Sequence, residues 1–187
     1  MRYLVSLGLL FGFIGTAISF SGLAKATPDS HLRVVIIRHG EKSESSNHLS
    51  CQGENRALQL PAVLYRKFNK PDYVYVPSTG IRNLMAHVRM FETIVPFAVK
   101  YDLTVNSEFP VDGYAAMADH VLAKTGTVLI VWEHIGIPKL AARLGVSDPP
   151  HWKGKDFDSI WVITFAGGKA SLSIDREGIV PPVDCSY

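Results

Sequence analysis

The chain has 187 residues, 47% of them hydrophobic and 19% charged, which suits one domain with a sizeable core and is too apolar for a disordered segment. Its formal net charge is +2, and both surplus cations, Arg2 and Lys25, fall within the first 26 residues, which hold no acid. The remainder is balanced, so it lacks the basic excess of a nucleic-acid or anionic-membrane binder, and neither partner is expected.

Residues 1–26 read as a targeting segment. Met1-Arg2-Tyr3 is a short positive start, Leu4 to Phe20 is an apolar run, and Ala24-Lys25-Ala26 has the small-x-small pattern of a cleavage site. As a helix that run would span roughly 26 Å, a little short of a bilayer core of about 30 Å. A signal peptide is expected, or an anchor if it is not cleaved, which is the one route to membrane contact. Either way the body is exported, periplasmic or secreted. Residues 27–187 are expected to form a single domain.

Within that body, strand-length apolar runs alternate with helix-length amphipathic ones. Arg33–Arg38 (RVVIIR) is a β-branched run suited to a buried central strand, and Glu54–Phe68 has helical apolar spacing despite Pro61. Tyr73–Val76 is a second strand, closed by Pro77-Ser78-Thr79-Gly80. A helix follows within Arg82–Val99, with Pro96 expected to kink or end part of it. Tyr114–Ala123 is a further helix, Thr127–Trp132 (TVLIVW) a third core strand, and Gly136 and Pro138 open a helix to about Leu144. Ser159–Phe165 and Ala170–Ile174, separated by Gly167-Gly168, predict a C-terminal β-hairpin. The alternation predicts a three-layer α/β/α domain with a mainly parallel central sheet, whose ligand site lies beyond the carboxyl ends of the strands. The two cysteines, Cys51 and Cys185, belong to no CxxC or Cys/His cluster. In an oxidising compartment they allow one disulfide tying the tail to a loop near the start of the domain, with two unpaired thiols as the alternative.

The first strand delivers Arg38-His39-Gly40-Glu41. An arginine offers planar donors for phosphate, a histidine can attack or carry a proton, and a glycine lets the backbone turn. The third core strand delivers Glu133-His134, a second imidazole at another strand end.

From about Arg33 to Phe165 the chain resembles the histidine phosphatase (phosphoglycerate-mutase-like) superfamily. Val35-Ile36-Ile37-Arg38-His39-Gly40-Glu41 resembles its opening strand and signature, and Leu49-Ser50-x-x-Gly53-x-x-Arg56-Ala57 the helix start that follows. Arg89-x-x-Glu92-Thr93-Ile94 resembles the stretch supplying a second phosphate arginine, and Val128–His134, with Ile137 and Leu140 behind it, the strand and helix carrying the second histidine. The resemblance implies that His39 attacks phosphorus and is transiently phosphorylated, while Arg38, Arg89 and His134 bind the phosphate oxygens. Those side chains would neutralise charge without metal or other cofactor. The general acid is expected at Glu108, with Asp112 as its competitor, and Glu41 is expected to structure the signature turn.

Two features depart from the family pattern. Ser78-Thr79-Gly80-Ile81-Arg82 also has the spacing of the arginine motif, but Arg82 lacks the Glu-Thr pair that follows Arg89, so Arg89 is the expected phosphate ligand. Glu133 stands where a small residue is usual, and its carboxylate would repel a dianion unless strand alternation turns it away. With little room between Val76 and Thr127 for a large cap, the expected substrate is a phosphorylated small molecule or phosphoprotein. The alternatives are a phosphate-binding protein with little turnover, or a metal site of His39, Glu41, Glu133 and His134, whose spacing matches no known ligand set. Trp132, Trp152 and Trp161 read as core or lid, with Trp152 the one that could face substrate. His31, His48, His87 and His120 read as surface residues, and Lys153-Gly154-Lys155 as a solvated loop able to steer anions.

Overall fold

The computed structural model describes residues 28–29, 31–80, 86–185 and 187. The expected targeting segment, Arg82 and the first part of the helix expected from Arg82 lie outside the described residues. In chain order the elements are β1 (Arg33–Arg38), α1 (Cys51–Phe68), β2 (Tyr73–Tyr75), α2 (Val88–Tyr101), β3 (Val105–Asn106), α3 (Tyr114–Leu122), β4 (Thr127–Trp132), α4 (Ile137–Arg143), β5 (Ser159–Ala166) and β6 (Lys169–Arg176).

The strands form one mixed sheet in the order β3-β2-β4-β1-β5-β6. β3, β2, β4 and β1 run parallel, and β5 and β6 close the sheet as the antiparallel hairpin expected from Gly167-Gly168. Side chains alternate across the central strands. Val34, Ile36, Val128 and Ile130 pack with Met117, Val121 and Leu140 of α3 and α4, whereas Val35, Ile37, Leu129 and Val131 pack with Leu60, Leu64, Ile94 and Phe97 of α1 and α2. The result is the three-layer α/β/α sandwich. RVVIIR and TVLIVW are apolar throughout because both faces of β1 and β4 are covered, and each fully buried Val, Ile or Leu contributes about 1.5–3 kcal/mol.

Three elements differ from expectation. β3 has only two residues, joined to β2 by Val74↔Val105 and Tyr75↔Asn106, too few to show a period. α1 begins one turn before Glu54, because Ser50 caps it by accepting a hydrogen bond from the Gly53 amide at 3.2 Å. α2 runs through Pro96 to Tyr101, since packing of Met90, Ile94 and Phe97 into the core outweighs the lost backbone bond.

Register positions the ligand edge. Arg38 pairs with Trp132, so β1 and β4 end side by side, and the His39 amide donates to the Trp132 carbonyl at 3.1 Å. Arg38-His39 and Glu133-His134 therefore leave the sheet at one edge. The disulfide Cys51–Cys185 is formed and joins the first turn of α1 to the C-terminal tail, with Cα atoms 4.8 Å apart.

Candidate active site

The site is built around the turn that leaves β1. Gly40 allows that turn to lie against the start of α1, where a Cβ on Gly40 would sit 2.9 Å from the Gly53 carbonyl oxygen. A Cβ on Gly53 would in return strike the Glu41 backbone. The turn is held from α2 as well: the Gly40 amide donates to Thr93 Oγ1 at 2.9 Å, and that hydroxyl donates to the Arg89 carbonyl at 2.7 Å. Glu92, the other half of the pair, accepts from the Leu49 amide at 2.9 Å and contacts His48 Nδ1, fixing the loop before α1.

His39 is buried, and its Nδ1 lies 2.7 Å from the Gly40 carbonyl oxygen. A carbonyl can only accept, so Nδ1 carries the proton and Nε2 keeps its lone pair. Burial is the main force pulling the His39 pKa down to about 3. The Gly40 contact opposes it, while Arg38, Arg89 and His134 lower it further. At neutral pH the ring is an uncharged nucleophile surrounded by cationic side chains.

Arg38 is also buried. Its Nη1 donates to the carbonyls of Gly154 at 2.7 Å and Asp156 at 3.2 Å, and its guanidinium lies 3.8 Å from the centre of the Phe157 ring. Burial lowers its pKa to about 10, which leaves it charged. Arg89 donates from Nη1 to the Asn47 carbonyl at 3.0 Å. His134 has a lowered pKa, first through burial and then through Arg38, His151 and Lys42. Among the described residues, five buried side-chain N or O atoms have no hydrogen-bond partner, and three of them are Arg38 Nε, Arg89 Nε and His134 Nδ1. Buried polar atoms are rarely left so.

The structure thus gathers Arg38, His39, Arg89 and His134, while the expected acids Glu108 and Asp112 sit on the loop between β3 and α3. Glu108 is exposed beyond β3, with β2 and β4 between it and β1, and its carboxylate accepts from Asn106 Nδ2 at 3.2 Å. Its charge bears on the Tyr75 phenol, and that of Asp112 on Tyr114. Glu133 also acts on Tyr114. The four-residue metal grouping does not assemble. Both oxygens of Glu41 are taken by Arg56, and among the described residues no three His, Cys, Asp or Glu gather to hold a metal.

Several participants carried no sequence signal of their own. Phe157 and the Gly154 and Asp156 carbonyls lie more than a hundred residues from Arg38. Thr93 was visible only as part of a motif. Trp152 is a core residue: it packs on Trp161, and its indole N–H donates to the Asp156 carbonyl at 2.9 Å, shaping the loop that holds Arg38. His120 is half-buried and pairs with the Tyr75 hydroxyl at 2.9 Å.

No protein-family model matches the chain, and no curated protein matches it in sequence. Solved structures do match. The protein histidine phosphatase SixA complexed with tungstate superposes with a TM-score of 0.55 at 17% identity, over 78% of this chain and 97% of that one. A mycobacterial glucosyl-3-phosphoglycerate phosphatase with inorganic phosphate gives 0.56 at 16% identity, over 76% and 95%. The fold is that of the histidine phosphatase superfamily. A mutant phosphoserine phosphatase from Entamoeba histolytica, in complex with phosphoserine, gives 0.54 at 11% identity, over 79% and 97%. Each of these neighbours is covered almost end to end, while about a fifth of this chain lies outside the match.

Proposed function

We propose that the protein is an exported phosphatase that works through a phosphohistidine on His39. The observation that carries this is the set of buried, unpartnered nitrogens of Arg38, Arg89 and His134 grouped with a neutral imidazole whose Nε2 is free. The Nε2 lone pair attacks phosphorus, the Nε2–P bond forms, and the bond to the leaving group breaks with its electrons. Arg38, Arg89 and His134 hold the phosphoryl oxygens through this exchange. The Gly40 carbonyl, still accepting from Nδ1–H, stabilises the positive ring. Water then attacks phosphorus, the N–P bond breaks and inorganic phosphate leaves.

Glu108, the expected acid, is exposed and its carboxylate accepts from Asn106 Nδ2, which favours leaving groups that need little protonation. Phosphoramidates and acyl phosphates on proteins fit better than alkyl phosphates, in keeping with the protein histidine phosphatase named among the neighbours. Export rests on the targeting pattern of residues 1–26 and is consistent with the disulfide. The exposed position of Glu108 also favours a second reading, a phosphate-binding protein with little turnover.

Rapid alkaline quench with a radiolabelled phosphorylated substrate tests both. We expect label on His39, no turnover by folded His39→Ala, and a loss of about a hundredfold or more in kcat/KM for Arg89→Ala. Wild-type turnover by His39→Ala would remove the phosphohistidine mechanism. Phosphate binding without label or turnover in the wild type would establish the second reading.

A further inference from the structure

The carbonyl that orients His39 belongs to the Gly40–Glu41 peptide, and that peptide is gripped from behind by groups the phosphatase mechanism does not use. Arg56 is buried and all three of its guanidinium nitrogens donate to two acids. Its Nε and Nη2 reach both oxygens of Glu41 at 2.7–3.2 Å, and its Nη1 reaches Glu177 Oε2 at 2.6 Å. The Glu41 carbonyl in turn accepts from the Ser50 amide at 2.9 Å. Glu177 is itself buried, at the start of a C-terminal strap that crosses α1. Along that strap Ile179 enters the core, Asn55 Nδ2 donates to the carbonyls of Pro182 and Asp184 at 3.1 and 2.7 Å, and Cys185 is bonded to Cys51.

We propose that Arg56 and Glu177 are positioning residues for the nucleophile: Glu177, carried on the stapled strap, fixes Arg56, and Arg56 fixes the Gly40–Glu41 peptide so that its carbonyl holds His39 Nδ1–H. The inference rests on His39 being the nucleophile. The physical need for such a grip lies in Gly40, whose dihedrals are the softest in the chain's repertoire. Thr93 anchors the amide side of that residue. Without Arg56 the Glu41 side chain is released, and Ser50 and the Lys42–Leu49 bridge hold only the peptides that follow; the Gly40–Glu41 plane can then turn, and Nδ1–H loses its acceptor. The ring then samples the tautomer with the proton on Nε2, which cannot attack phosphorus. A buried arginine–carboxyl contact of this kind is weak evidence for stability but a good device for fixing one geometry.

The test reads the tautomer directly. Imidazole 15N shifts of His39, with turnover of p-nitrophenyl phosphate, are measured on wild type, Arg56→Gln and Glu177→Leu, at temperatures where circular dichroism shows each folded. Wild type is expected to be uniformly protonated at Nδ1. Each variant is expected to show a tautomer mixture and a kcat lowered about tenfold to a hundredfold with KM nearly unchanged. Should Arg56→Gln fail to fold, Glu177→Leu, which removes the acceptor and keeps the buried position filled, carries the test. A folded variant with the wild-type tautomer and kcat overturns the proposal and reduces the pair to a structural role. A wild type without turnover but with the tautomer shift in the variants would instead overturn the phosphatase reading and leave the positioning role standing.

Discussion

The protonation of His39 and Glu177 ties the site to folding with opposite signs. Folded His39 stays neutral down to about pH 3, while the ordinary imidazole takes its proton near 6.5. The unfolded chain therefore binds more protons in that window, and stability rises with pH across it. His134, also lowered, acts in the same direction. Glu177 does the reverse: burial, together with the negative charges of Asp158 and Glu41, outweighs Arg56 and pushes its carboxyl up to about 8 from an ordinary 4.5. Its stabilising proton is held by the folded state and lost as pH climbs toward 8. Between about pH 4.5 and 6.5 the two effects offset, and above pH 7 only Glu177 remains. We expect stability in chemical denaturation to fall by about 1 kcal/mol between pH 7 and 8, and Glu177→Gln to flatten that slope. Equal slopes in the two proteins would place the Glu177 titration elsewhere.

At the level of elements, the site depends on α1 and α2 meeting the turn after β1 at backbone distance. Gly53 is needed because a Cβ there would lie 2.8 Å from the Glu41 amide nitrogen, and backbone cannot yield as a side-chain tip can. Gly53→Ala should push the first turn of α1 away from Glu41, costing about 1–3 kcal/mol and weakening the grip of Ser50 on the turn. Urea denaturation and kcat of the same variant check this. Stability indistinguishable from wild type would mean that α1 shifts freely, and that the close approach is incidental. Thr93 does the matching work from α2 by joining the Gly40 amide to the Arg89 carbonyl, which explains physically why a Thr stands one turn after that arginine.

Across the whole molecule, the disulfide spans 134 residues of sequence and closes the tail onto the helix that backs the site. Constraining so long a loop in the unfolded chain is worth about 2–5 kcal/mol. The tail is also held by Asn55, Ile179 and Glu177, so reduction should lower stability without dissolving the fold. The expected outcome is a lower Tm in excess dithiol, with alkylation confirming two free thiols per chain. Coincident melting curves for the oxidised and fully reduced protein would show that the strap docks without its staple.

What the sequence by itself determined is what local chemistry carries. The runs RVVIIR and TVLIVW can be buried on both faces only in the middle of a sheet, and the glycine-rich turn before Lys169 can only be a hairpin. Arg-His-Gly after such a strand and a second histidine at another strand end were legible from local chemistry, whereas Arg89 was named only through the resemblance of Arg89-x-x-Glu92-Thr93 to a family motif. Tertiary structure alone decided the rest. β3 takes its strand geometry from β2, because two residues have no periodicity to declare. Where the acids stand depends on the path of the loop between β3 and α3, which docks its Phe109 carbonyl on Ser78 and its Val111 carbonyl on Trp132. The carbonyls of Gly154 and Asp156, the ring of Phe157 and the Arg56–Glu177 pair reach the site across separations of about a hundred residues or more. A backbone carbonyl has no identity in sequence, and an ion pair is legible only once the chain has brought its two ends together.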